Sequence, residues 1–309
     1  MIVYKTNDWL PAIWHFHTGP TAISLFKRLA VVLIYVVTIT VIELNFTDLR
    51  LKNTPTEFLS TMGILLSLLI IFRTNTAYDR FYEGRRAWGT LINTCRNLAI
   101  YYNAILGDRY PAEKLFFTKV ISNFSFALKN HLRDDRNFEE FDETLPGTLE
   151  MLQRFDHVPN GMVSQLRNHT EKLYREGSIT DAQLINIHEM LTALLDVAGI
   201  CERIKSTPIP FSYNLFIKIF ITFYIFIMPF SVIIEYGYLT IPAVMLVSYI
   251  LVGLELIGEE IEEPFGLDRN NLPLNQLSQL IRVNVHEIFG YNLPKAEKDA
   301  AKLGFVIVT

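Results

Sequence analysis

The sequence predicts an all-α membrane protein with four transmembrane helices and a cytosolic helical domain. Three observations carry this reading. Half of the 309 residues are apolar and 13% are aromatic. Only 19% are charged, against a usual share of about 25%. Four uncharged apolar runs flank a middle stretch whose charges are balanced and whose apolar residues recur at helical spacing.

The first run is Leu29 to Ile42 and the second Phe58 to Phe72. The third, Ile219 to Ile234, lies between Lys218 and Glu235, and the fourth runs from Tyr236 to Leu254. A helix needs about 20 residues to cross the hydrocarbon core. The first three runs reach that length through weakly polar flanks such as Thr21 to Phe26, Thr54 to Thr56 and Phe211 to Phe216. Pro229 and Pro242 fall in the last two spans, where neighbouring helices can satisfy the freed backbone groups. Basic residues set the orientation. Lys27 and Arg28 precede the first span, Arg73, Arg80, Arg85 and Arg86 follow the second, and Arg203, Lys205 and Lys218 precede the third. Both termini and the middle region are therefore expected in the cytoplasm, with the chain in the inner (plasma) membrane. No signal peptide is expected, because no small-residue cleavage site follows the first apolar run near Leu29.

Between Arg73 and Lys218 there are 18 basic and 18 acidic residues, mixed in sign. Leu91, Leu98 and Ile105 recur every seven residues, and Phe116, Val120, Phe124 and Leu128 every four. Thr180 with Gln183 reads as a capping box opening a helix to about Lys205. Pro146, Gly147, Pro159, Asn160 and Gly161 mark turns between shorter helices over 134–161. No strand alternation is visible. The expected division is 1–72 with the first two spans, 73–210 as the cytosolic domain, 211–258 as the last two spans, and 259–309 as a cytosolic segment.

Several chemistries are excluded. A net charge of −4 argues against nucleic acid as a partner. Cys95 and Cys201 lie far apart without CxxC spacing, so they read as buried reduced thiols. His188-Glu189 opens like a zinc-protease motif, but Thr192 stands where the second histidine belongs. His15 and His17 read as part of an interfacial belt rather than a metal site. No catalytic residue, cofactor or metal is expected.

Three stretches at membrane boundaries combine charges, aromatics and helix breakers. They are FRTNTAYDRFYEGRRAWG from Phe72, CERIKSTPIPF from Cys201, and EEIEEPFG from Glu259 followed by NNLPLN from Asn270. Charges at such places are costly unless they pair. An interfacial network is therefore expected among Arg73, Asp79, Arg80, Glu83, Arg85, Arg86, Glu259, Glu260, Glu262 and Glu263.

In order and spacing these stretches resemble the bestrophin family, specifically its bacterial branch, over roughly Asn7 to Asn292. The resemblance implies a homopentameric ion channel around one central pore, with no enzymatic activity. Its partners would be further copies of itself, membrane lipid and small monovalent ions. Bacterial relatives imply a slight preference for cations (Na⁺/K⁺); a chloride or anion channel is the alternative, and a carrier or structural membrane protein is a further one. The family's pore neck begins after a glycine matching Gly63 and so falls on Ile64, Leu68 and Phe72, which share one helix face. From the residues alone, a lipid-facing or packing stripe is equally compatible. The family's cytosolic aperture falls on Ala182, with Ile179 one turn earlier as a larger substitute. Glu259 to Glu263 occupy the place of the eukaryotic calcium clasp. The aspartate-rich run of that clasp is absent, so calcium is not assigned.

Overall fold

The computed structural model describes residues 2–4, 20–46, 56–143, 148–301 and 306–308; His15 and His17 lie outside them. Helix α1 is Pro20–Asn45 and α2 is Thr56–Leu106, a single helix of 51 residues. A 3₁₀ turn leads to α3 (Pro111–Leu132), then α4 (Thr148–Gln153), α5 (Val158–Arg175) and α6 (Asp181–Ser206). The apolar hairpin is α7 (Phe211–Tyr236) and α8 (Thr240–Glu262), followed by α9 (Leu274–Ile288) and α10 (Lys295–Ala300). The fold is helical with one addition. β1 (Ile2–Tyr4) and β2 (Val306–Val308) pair as a two-stranded ribbon. Strands of three residues are too short for an alternating pattern to register, although both are rich in β-branched residues.

The chain divides into two compact units at Phe81/Tyr82 within α2, at Thr207/Pro208 and at Glu263/Pro264. The first unit holds α1, the first part of α2, α7 and α8. Its core is aliphatic: Leu25 and Leu29 of α1, Leu66 and Ile70 of α2, Ile217, Ile221 and Ile225 of α7, and Val252 and Leu256 of α8. A second cluster joins Val36, Leu59, Met228 and Val244. Gly237 turns the hairpin with φ +53°, a backbone conformation that costs glycine little. Pro229 sits inside α7 and deprives the Ile225 carbonyl of its helical donor. One residue along, the Tyr35 hydroxyl of α1 donates to the Phe226 carbonyl at 2.6 Å. Gly63 lets α2 approach α7 closely, since a Cβ there would lie 2.9 Å from the Tyr224 hydroxyl oxygen.

The second unit is a helical domain built on α3. Phe117, Val120, Phe124 and Leu128 are buried, and the Tyr102 ring of α2 stacks on Phe117 at 3.8 Å between centroids. The Tyr102 hydroxyl shares a 2.6 Å hydrogen bond with Thr170 of α5. The capping box at Thr180 is formed, with the Thr180 N–H donating to Gln183 at 3.0 Å. Asp181–Ser206 is long and apolar enough to be counted with the membrane-crossing helices. Its apolar side, including Leu191, Leu194, Val197 and Ala198, is instead buried within this unit, where α6 packs on α3 and α5. Pro159, Asn160 and Gly161 do not form a turn; they lie in the first helical turns of α5. Proline is favoured there because its missing N–H would have had no helical partner anyway. Cys95 and Cys201 are free and buried, and burial pushes both thiols up to about 12.

Candidate functional site

On α2 the buried and exposed faces separate cleanly. Leu59, Leu66, Ile70 and Arg73 are buried and fall within about 60° of one another at the helical increment of roughly 100° per residue. Ile64, Leu68 and Phe72 lie about 160–240° round from Leu66. They are 72%, 49% and 56% exposed in the single chain. Three large apolar side chains thus form a continuous stripe facing away from the protomer's own core. A stripe of this kind is complementary to lipid, to another subunit, or to a narrow dewetted pore.

Level with the stripe's end, the opposite, buried side of α2 carries charge. Arg73 and Glu255 are each only 3% exposed. The Arg73 guanidinium donates to the Glu255 carbonyl oxygen at 3.1 Å and lies 3.6 Å from its carboxylate. It also lies 3.8 Å from the Glu262 carboxylate and donates Nε–H to Asn214 at 3.0 Å. Glu255 is the hub. Arg28 of α1 reaches it at 2.7 Å and Lys218 of α7 at 3.3 Å. Glu262 in turn accepts from the Ile209 backbone N–H at 3.1 Å and from the Asn214 side chain. Four apolar helices are therefore pinned through one charged layer. Each buried charge has both an opposite charge and a hydrogen-bond partner, the condition under which such groups are tolerated.

The other expected network residues distribute unevenly. Arg80 Nε–H donates to the Glu262 carbonyl at 3.0 Å. Glu259 meets Lys218 at 3.1 Å and Arg28 at 3.8 Å, and Glu260 accepts from the Thr21 hydroxyl. Glu83, in the other unit, pairs with Arg203. Asp79, Arg85, Arg86 and Glu263 are exposed and make no ion pair among the described residues. Glu255, the most connected acid, was not in the expected set. Its signal is present in the sequence: it is the charge that ends the fourth apolar run, four residues before the acidic stretch. Ala182 is exposed at the start of α6. Ile179 is 3% exposed and points into its own protomer, so it offers no surface to an aperture. The exposed large aliphatic on this face is Ile185.

An apolar four-helix membrane unit with an exposed stripe, pinned by a buried arginine–glutamate layer, defines a helical membrane protein. Residues 1–287 match the family model described as Bacterial/Fungal Bestrophin protein. The chain belongs to this family. It is 36% identical over 230 residues to a voltage-dependent anion channel-forming protein of Synechocystis, covering 73% of this chain and 75% of that protein. A voltage-dependent anion channel-forming protein of Ralstonia nicotianae is 28% identical over 309 residues, 99% of this chain and 100% of the relative. The fold is similar to the crystal structure of a bacterial bestrophin homologue from Klebsiella pneumoniae. That likeness has a TM-score of 0.81 at 25% identity and covers 87% of this chain and 99% of the other.

Proposed function

We propose that five copies of this chain assemble around one central pore, forming an ion channel in the inner membrane with both termini cytoplasmic. The exposed stripe of Ile64, Leu68 and Phe72 would line the neck as three stacked apolar rings. A second constriction would sit at the start of α6, at Ala182 with Ile185 in the place that Ile179 was expected to fill. The observation that carries the channel reading is the family match, together with a stripe turned away from the protomer core. Apolar rings gate by wetting and discriminate ion sign weakly. The slight cation preference expected from the bacterial branch therefore has no support in the neck's chemistry. The names borne by the relatives favour small anions, and we adopt anion conduction as the first reading, with monovalent cations second. Surrounding lipid and the permeant ions are the partners this function requires.

Reversal potentials of the purified protein in lipid bilayers under asymmetric sodium chloride decide the sign. A reversal displaced toward the chloride equilibrium potential supports the anion reading. Displacement toward the sodium potential replaces it with the cation reading. A folded, incorporated protein that passes no current removes the channel proposal.

A further inference from the structure

Away from the membrane unit, three helix ends bring together ligating side chains that the channel reading does not use. His131 lies in the last turn of α3, His157 caps the start of α5, and Glu202 stands near the end of α6. Glu202 Oε1 lies 3.0 Å from His131 Nε2 and 2.5 Å from His157 Nε2. One ligand atom from each residue fits within 4.8 Å of the others, and all three side chains are partly exposed. His131 also lines a cavity of about 270 Å³ with Asn130, Asp134 and Asp156, so solvent reaches the cluster.

We infer that His131, His157 and Glu202 form a site for a divalent transition ion of the zinc class. The donor set supports that class of ion. Two imidazoles and one carboxylate suit zinc, cobalt or nickel, whereas calcium needs six to eight oxygens. A tetrahedral zinc with bonds of about 2.0–2.1 Å holds its donors roughly 3.3 Å apart. The observed spacing therefore needs only small side-chain movements to admit the ion. Three protein ligands leave the fourth position for water, which the adjoining cavity can supply. Lys205, a cation beside the cluster, bonds to Asp134 at 2.6 Å and to the His131 carbonyl at 3.2 Å. Its charge is thereby offset, and Glu202 remains available to the ion.

Binding also has a structural consequence that can be read directly. The Asn160 N–H donates to His157 Nδ1 at 3.1 Å. His157 therefore carries its proton on Nε2, facing Glu202. An ion taking Nε2 sends that proton to Nδ1, where it meets the Asn160 N–H, and the capping bond is given up. Ion binding would thus join the ends of α3, α5 and α6 while freeing the Asn160 amide at the start of α5.

The test is titration of the full-length protein in detergent with Co²⁺ alone, read by its visible d–d absorption and by hydrogen exchange at the Asn160 amide. The expected result is one ion per chain with a low-coordinate spectrum and faster exchange at Asn160. His131→Ala and Glu202→Gln should each weaken binding at least about tenfold, in line with losses on disturbing metal shells. Glu202→Gln keeps the side-chain shape and an acceptor oxygen, so it gives an answer even if the histidine variant fails to fold. Absence of the spectrum in excess Co²⁺ overturns the site. So does a signal of unchanged affinity in folded Glu202→Gln, which would place the ion elsewhere.

Discussion

Arg73 and Glu255 show why single charges matter in an apolar bundle. Removing one partner of a buried pair leaves the other uncompensated, at a cost of about 3–5 kcal/mol. Glu255→Gln keeps the volume but strips the charge that faces Arg28, Arg73 and Lys218. Its thermal unfolding in detergent should fall well below wild type, and an unchanged melting temperature would remove the hub role. Glu263→Gln, exposed and outside the ion pairs of the described residues, should melt like wild type in the same assay. His169 of α5 makes a pH-dependent contribution of its own. Stacked on Phe116 at 4.1 Å, it is held below its ordinary value of 6.5, chiefly by burial. The depressed value favours the neutral ring in the folded state. Its stabilisation is therefore present above pH 6.5 and is lost as pH falls through the lower folded value. His169→Phe preserves the stacking without a titrating group. Its melting temperature should decline less than that of wild type between neutral pH and about pH 5, and parallel declines would rule the contribution out.

Helix α2 joins two different chemistries along one rod of 51 residues. Its upper part presents Ile64, Leu68 and Phe72 outward, whereas Trp88, Leu91, Leu98 and Tyr102 further on are buried in the helical domain. Replacing Ile64, Leu68 and Phe72 together by alanine tests the stripe. If it forms the neck, the change widens and wets the constriction, and bilayer conductance rises because the barrier depends on radius and apolarity. If the stripe packs against another helix, each truncation costs about 2–5 kcal/mol and the assembly is lost. A stable assembly with wild-type conductance would sink the neck assignment. At the far end of the hairpin, Gly237 holds a positive φ. Gly237→Val there should lower the yield of folded protein, as measured by its monodisperse elution in detergent.

For the molecule as a whole, the exposed apolar surface of α1, α2, α7 and α8 is far more than a soluble monomer carries. Ile64, Phe211, Phe216, Ile219 and Leu246 are all more than half exposed. A membrane covers such surface in part, and further copies of the chain can cover the rest. The proposed pentamer makes a direct prediction. The protein mass of the detergent-solubilised particle, by light scattering, should be five times that of the 35.7 kDa chain. One or two copies would favour the carrier reading over the pentameric channel.

Much of this architecture was written in local patterns. The apolar runs and their basic flanks pointed to the four membrane helices, and the capping box at Thr180 located the start of α6. The recurrence of Phe116, Val120, Phe124 and Leu128 identified a face of α3 that is buried. These features are local because helix period, capping and hydropathy act over a few residues. The particular partners needed the tertiary structure. Arg73 could have met any of several glutamates along the acidic stretch. The packing of α2 beside α8 brings Glu255 and Glu262 within 4 Å of it and leaves Glu263 outside. Ile179 and Ile185 are both isoleucines near one helix start, yet one is buried and the other exposed. The cluster of His131, His157 and Glu202 joins three helix ends far apart in the chain. No local spacing encodes that meeting, because it is set by how α3, α5 and α6 pack.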